Sequence, residues 1–141
     1  MKRFLPTFLA IIAMLSMCSG MACAIEYGVY SSYTLHSYNA RLRAGATKGT
    51  VNISFDVRSS KMADSIGVSS IVIYTSNGDY VDTITGSTDN GLIREDSSIH
   101  AASYPCTLTS GTSYYAEVTV FATVGRTSDD RVVTTNIVTA P

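Results

Sequence analysis

The sequence comprises 141 residues with 10 basic and 11 acidic side chains, so its formal net charge at pH 7 is only −1. A chain so close to neutrality and without a basic run does not fit nucleic-acid binding, which depends on several Lys or Arg that neutralise phosphates. No stretch after residue 25 is apolar for long enough to span a membrane. These features favour one globular domain.

The first 24 residues have the pattern of a secretory signal peptide. Met1-Lys2-Arg3 precedes an apolar segment, residues 4–17, and small residues follow up to Ala24. We therefore expect cleavage after Ala24 and secretion of a single mature domain, residues 25–141, into the extracellular space.

The three cysteines bear on anchoring and on stability. Met17 is bulky for the position before a lipidated cysteine at Cys18, and Cys23 lacks the branched apolar residue usual three positions earlier, so lipid anchoring is disfavoured. Cleavage would leave Cys106 alone. Because one cysteine cannot form an internal disulfide, packing must hold the domain together.

Alternating segments separated by turn residues predict strands through the rest of the chain. The seven predicted strands cover residues 33–44, 50–58, 69–75, 80–85, 99–108, 114–122 and 131–138. Asn77-Gly78 is the preferred pair for a two-residue hairpin, in which both central residues need positive φ. Residues 59–68, 86–98 and 125–130 are predicted loops. Pro105 cannot donate to a ladder, so the fifth strand is expected at an edge or with a bulge.

Seven short strands without a helical pattern or a repeat predict an all-β, antiparallel β-sandwich. The residues Leu108, Gly111 and Tyr114 precede a clean alternating strand, in an arrangement that resembles a corner of fibronectin type III domains. The resemblance implies a seven-stranded fibronectin III or immunoglobulin-like sandwich, whose corner tyrosine bonds backbone a few residues upstream. The alternative is an ordinary strand after a glycine turn.

Three further segments, residues 33–38, 66–74 and 128–135, resemble uncharacterised small secreted proteins of clostridia-like bacteria. This resemblance implies an exported bacterial β-domain and no particular activity. Members of that group often carry Trp in the hairpin after the third strand. The present chain has no Trp, and Tyr80 stands there instead.

Catalytic and metal-binding patterns are weak. Cys106 and His100 lie six residues apart on one predicted strand, which separates them by roughly 20 Å, too far for a nucleophile and its base. Residues 67–71 lack the second glycine of a serine-hydrolase elbow. Residues 89–96 do not match an EF-hand, although a looser calcium site there stays open. The sequence therefore predicts no catalysis, no cofactor and no metal centre.

We expect a secreted binding or structural module that acts by contact with a protein or a glycan. Exposed loop and strand positions give the candidate surface: Tyr80, Tyr115, Arg126, Asp129, Asp130 and Arg131. One alternative is a secreted enzyme inhibitor that presents residues 125–131. A second is a small enzyme with distant carboxylates such as Asp56 or Glu117. Open sheet edges could also pair with another copy of the chain.

Overall fold

The computed structural model describes residues 34–141, so the predicted signal peptide, its cleavage site and residues 25–33 lie outside the described residues. The described chain is all-β, and its antiparallel strands form one strongly curled half-barrel sheet. The strands are β1 (Leu35–Ala44), β2 (Thr50–Thr75), β3 (Tyr80–Thr85), β4 (Ile93–Thr107), β5 (Ser113–Val124), β6 (Thr127–Thr134) and β7 (Val138–Thr139). None of residues 34–141 belongs to a helix long and apolar enough to cross a membrane.

The 26-residue strand β2 organises the sheet. Its first part, residues 50–58, lies between β1 and residues 99–107 of β4. Its second part, residues 63–75, lies between β5 on one side and β3 with the first residues of β4 on the other. Strands β6 and β7 both pair with β5. Every strand is therefore connected through hydrogen bonds to β2, directly or by way of β5.

The prediction of a fibronectin III or immunoglobulin-like sandwich is wrong. A sandwich consists of two separate sheets that face each other, whereas here β2 continues through residues 59–68 and β4 begins at Ile93, both within predicted loops. Register shifts between Arg58 and Ala63 and between Val68 and Ser70 bend β2 without ending it. The resemblances to fibronectin III domains and to secreted clostridial proteins therefore misled the assignment of the fold.

The core lies on the inner side of the curl. The alternation predicted for residues 50–58 and 114–122 is confirmed, because every second residue there is buried. The largest fully buried side chains are Ile53, Ile66, Ile71, Ile73, Leu92, Val51, Val57, Val68, Val118 and Val120. Burial of each such side chain is worth about 1.5–3 kcal/mol, so packing without a disulfide can hold the sheet curled.

Two turns differ from their predicted form. At the β2–β3 hairpin only Gly78 has positive φ, and its N–H donates to the carbonyl oxygen of Thr75 at 2.9 Å. The loop therefore has three residues and ends in a left-handed glycine, instead of two residues that both have positive φ. The β5–β6 connection is only Gly125-Arg126, because β6 begins at Thr127 within the predicted loop.

The tyrosine after the β4–β5 turn makes backbone contacts. The Tyr114 hydroxyl accepts a hydrogen bond from the N–H of Thr109 at 3.1 Å and lies 3.4 Å from the Thr109 carbonyl oxygen. The ring is buried, Leu108 is half-buried against the core, and Gly111 has a φ of 80° in open space. The tyrosine therefore ties the turn to the strand that follows it.

The edge strands β1 and β6 approach each other without backbone pairing, and we call this junction the seam. Two side chains bridge it. Asp129 accepts a hydrogen bond from the N–H of Leu35 at 3.3 Å, and Asn136 both accepts from the N–H of Leu42 at 3.1 Å and donates to its carbonyl oxygen at 3.2 Å. Within residues 34–141, side chains thus link β1 to β6 and to the segment after β6 at the two ends of the seam, while the strand edges between these ends stay unpaired.

Candidate functional site

Three tyrosines lie side by side on the outer face of the sheet, and we call them the tyrosine row. Tyr74 of β2 is paired with Tyr80 of β3 on one side and with Tyr115 of β5 on the other. The ring centroids of Tyr74 and Tyr115 are 5.3 Å apart, with an interplanar angle of 19°. Those of Tyr74 and Tyr80 are 6.4 Å apart at 79°. The row therefore spans three neighbouring strands.

The rings of Tyr74 and Tyr115 are stacked, so each covers one face of the other. Tyr80 is the most accessible member, with 63% of its surface exposed, and its hydroxyl lies 3.2 Å from Oγ1 of Thr83. The hydroxyls of Tyr74 and Tyr115 form no hydrogen bond with residues 34–141. They are available as donors and acceptors for a partner.

The hydroxyl of Tyr74 is harder to ionise than that of a free tyrosine. Desolvation raises the pKa of Tyr74, and the negative charge of Glu117 raises that pKa further, followed by smaller contributions from Tyr115 and Tyr80. Glu117 lies on the same outer face, opposite Val72 of β2. The row therefore combines aromatic rings, hydroxyl groups and one carboxylate.

Tyr80 and Tyr115 are predicted contact residues, and the sheet register brings them to either side of Tyr74. Tyr74 is not among the predicted contact residues. The segment Ile71–Tyr74 is apolar on both faces, which is typical of a strand that is covered on both sides. The signal that could have found it is the Asn77-Gly78 turn. A short hairpin loop centred there places Tyr74 opposite Tyr80.

The other predicted contact residues lie elsewhere. Arg126 occupies the β5–β6 turn, eleven residues from Tyr115 along β5, which corresponds to roughly 35 Å of strand. Asp129 and Asp130 belong to β6 instead of a loop, and Arg131 lies in the same strand, within the predicted strand 131–138. The carboxylate of Asp129 pairs with Nη1 of Arg131 at 2.6 Å and also bridges the seam. The connection between β5 and β6 is thus a two-residue turn.

The candidate nucleophile faces the inner side of the sheet. Cys106 is a half-buried free thiol, and burial, followed by the charge of Asp82, raises its pKa to about 11. Reactive cysteines have lowered pKa values because the thiolate is the nucleophile. Cys106 therefore has the character of a packing residue.

His100 is buried beside a loop and packs against an aromatic ring. Its Nε2 lies 2.8 Å from the carbonyl oxygen of Gly91, its ring contacts the Phe55 ring at a centroid distance of 5.1 Å, and its Nδ1 is buried without a hydrogen-bond partner. No group of three or more His, Cys, Asp or Glu within residues 34–141 is arranged to hold a metal ion. The contacts of His100 hold residue 91 against the sheet.

Comparisons with known proteins add little. No family model matches the chain, and no curated protein matches it. Among solved structures, the chain is similar to the crystal structure of the Putative ApaA Protein from Bordetella pertussis, with a TM-score of 0.45 and 12% sequence identity over 77% of this chain and 94% of that one. A similarity of this size does not inform the function.

Proposed function

We propose that the protein is an exported binding module that acts without catalysis and contacts a protein partner through the tyrosine row. The observation that carries the proposal is the alignment of Tyr80, Tyr74 and Tyr115 on three neighbouring strands of the outer face. The signal-peptide pattern of residues 1–24 supports export.

Tyrosine suits such a surface for energetic reasons. Its ring provides a large contact area, its hydroxyl provides a hydrogen bond, and only two side-chain torsions must be fixed on binding. The stacking of Tyr74 on Tyr115 already restricts those torsions in the free protein. Because less rotamer freedom remains to be lost, binding is favoured.

The ring orientations favour a protein over a glycan. A sugar that stacks on tyrosine needs an open ring face, whereas Tyr74 and Tyr115 each cover one face of the other at 5.3 Å. A protein partner can pack aliphatic and aromatic groups against the remaining ring surface and bond the free hydroxyls. The flanking carboxylate of Glu117 would accept from a donor on the same partner.

The test is site-specific photocrosslinking during growth of cells that express the full chain. We replace Tyr80 with p-benzoylphenylalanine and, as a matched control, Ile99 of β4, which is 43% exposed and lies outside the row. We expect one discrete protein adduct from position 80 and none from position 99. Adducts of the same kind from both positions, or from neither, would contradict the proposal.

Substitutions then identify the residues that carry the binding energy. With the crosslinked partner purified, Tyr80→Ala and Tyr115→Ala should each weaken binding by about 30-fold, the effect of an aromatic hot spot of about 2 kcal/mol. Ile99→Ala should change affinity less than twofold. Row-dependent retention on a polysaccharide, without any protein adduct, would identify the ligand as a glycan and overturn the assignment of a protein partner.

A further inference from the structure

Within residues 34–141, the edge of β1 that faces away from β2 has no backbone partner between the two ends of the seam. Asn136 bonds both the N–H and the carbonyl oxygen of Leu42, so the backbone of that residue points away from β2. Antiparallel pairing alternates, and the register between Ser37 and Ala44 is regular. The backbone groups of Tyr38 and Ala40 therefore point outward as well. Within residues 34–141, no strand other than β2 pairs with β1.

Two arginines lie on the outer face of this open edge. Arg41 and Arg43 are exposed, and their spacing of two residues places them on one face at a separation of about 6.8 Å. Neither has an ion-pair partner among residues 34–141, whereas the neighbouring Arg58 is held by Asp56 through Nε and Nη2 at 3.0 and 3.2 Å. The edge thus carries two uncompensated guanidinium groups.

The surface beside the arginines is concave. One open cavity of about 340 Å³ lies over Arg41, Arg43 and Ser54, and a second of about 480 Å³ lies between Asn39–Arg43 and Asn136 at the seam. The second cavity lies along a stretch of β1 that includes Ala40, whose outward backbone groups are unpaired within residues 34–141, and Leu42, whose outward groups are bonded to Asn136. Shape, charge and free backbone groups thus coincide over one short segment.

We infer that the β1 edge binds an extended acidic segment of a partner protein, which adds to the sheet as an antiparallel strand. Carboxylates two residues apart on the added strand would also be about 6.8 Å apart and lie opposite Arg41 and Arg43. The added backbone would exchange hydrogen bonds with Tyr38 and Ala40, as in other cases of strand addition. Guanidinium groups bind carboxylates in bidentate geometry, which fixes the register of the added strand.

The same charges discourage pairing between two copies of this chain. A second β1 strand added in an antiparallel register centred on Leu42 would place Arg41 of one copy opposite Arg43 of the other. Directly opposed like charges destabilise a strand pair. The arginines therefore disfavour self-association in this register while they admit an acidic strand.

The experiment measures binding of the purified protein to an eight-residue peptide of alternating Glu and Val. Three peptides serve as comparisons: alternating Lys and Val, a Glu–Val peptide N-methylated on the amides that face β1, and random-coil poly-glutamate. We expect measurable binding of the Glu–Val peptide alone, with slower hydrogen exchange of the Tyr38 and Ala40 amides in the complex. Equal binding of poly-glutamate or of the N-methylated peptide would show a purely electrostatic contact and overturn the inference.

Charge variants test the register. Arg41→Ser together with Arg43→Ser should weaken binding of the Glu–Val peptide by about 10-fold, whereas Arg94→Ser, an exposed arginine of β4, should change it less than twofold. The double charge reversal R41E/R43E should transfer binding to the Lys–Val peptide. A reversed variant that is folded by circular dichroism yet ignores the Lys–Val peptide would contradict strand addition at this edge, as would dimerisation of the unmodified protein through β1.

Discussion

Removal of the Asn136 side chain tests how much the seam contributes to stability. In Asn136→Ala, the N–H and the carbonyl oxygen of Leu42 lose partners at 3.1 and 3.2 Å. The loop that carries residue 136 should stay in place, because the Thr135 hydroxyl still accepts from the N–H of Ala116 at 2.9 Å and the N–H of Thr135 still donates to Ala116. The substitution therefore removes two hydrogen bonds and little packing.

The expected loss follows from the exposure of the site. Each intramolecular hydrogen bond is worth about 0.5–1.5 kcal/mol net, which gives about 1–3 kcal/mol for two. Asn136 is exposed, so water can replace part of both contacts, and we expect about 1.5 kcal/mol. With a urea m-value of about 1.5 kcal/mol/M, the unfolding midpoint should fall by about 1 M.

Two further variants test whether Asn136 stabilises the protein through its hydrogen bonds to Leu42. Asn136→Asp keeps an acceptor for the N–H of Leu42 but brings a carboxylate oxygen to its carbonyl oxygen, so it should destabilise at least as much as the alanine. Asn39→Ala changes an exposed asparagine of β1 whose side chain makes no hydrogen bond to residues 34–141. It should lower the free energy of unfolding by less than about 0.5 kcal/mol. Unchanged urea midpoints and unchanged Leu42 amide exchange in both Asn136 variants would refute the role of the seam.

Four further outcomes concern the residues around the β4–β5 turn. Tyr114→Phe should lower the free energy of unfolding by about 1 kcal/mol in urea titrations, because Thr109 loses its hydroxyl partner. Leu108→Ala should cost about 2 kcal/mol, near the lower limit for core leucines, since Leu108 is only half-buried. Cys106 should react with iodoacetamide about 100-fold more slowly at pH 8 than an exposed thiol, because its pKa is about 11 against 9.0. The raised pKa also predicts that stability falls between pH 9 and 11, where the unfolded thiol ionises first, and that Cys106→Ala removes this fall.

Local patterns were predictable from the sequence because they depend on neighbouring residues. Alternation over residues 50–58 and 114–122 identifies the buried face of each strand, since a strand has a period of two. Which strands pair with each other depends on residues that are distant in the sequence. Residues 59–65 are mostly polar and Gly67 follows them, which is typical of a loop, yet β4 and β5 supply hydrogen bonds that hold this segment in β2.

The two proposed binding surfaces were also only partly predictable from local sequence patterns. Tyr80 and Tyr115 could be proposed from composition, but the tyrosine row exists only because the sheet places Tyr74 between them. The exposed face of predicted strand 33–44 already contained Arg41 and Arg43. Whether the edge of this strand is paired depends on the seam. There the side chain of Asn136 bonds Leu42 of β1, which lies 94 residues earlier in the sequence. No local pattern encodes such a contact.

Gly67 provides the sharpest test of the continuous sheet. It lies inside β2 with a φ of 146°, and a methyl group there would overlap the carbonyl oxygen of Leu92 and lie 3.0 Å from Cδ2 of His100. The N–H of Val68 also donates to that carbonyl oxygen at 2.9 Å, so the two segments cannot separate without losing a buried hydrogen bond. Gly67→Ala therefore combines backbone strain with a steric clash that neither segment can relieve.

We expect Gly67→Ala to destabilise the protein by about 3 kcal/mol or more, measured by urea unfolding. Gly91→Ala is the matched control, because Gly91 has a φ of 76° but open space around its α-carbon, so it should show only the strain of about 1 kcal/mol. If Gly67 instead lay in a flexible loop between two separate sheets, as in a sandwich, the two substitutions would cost the same. Equal losses would thus contradict the close contact between β2 and the start of β4 on which the single curled sheet depends.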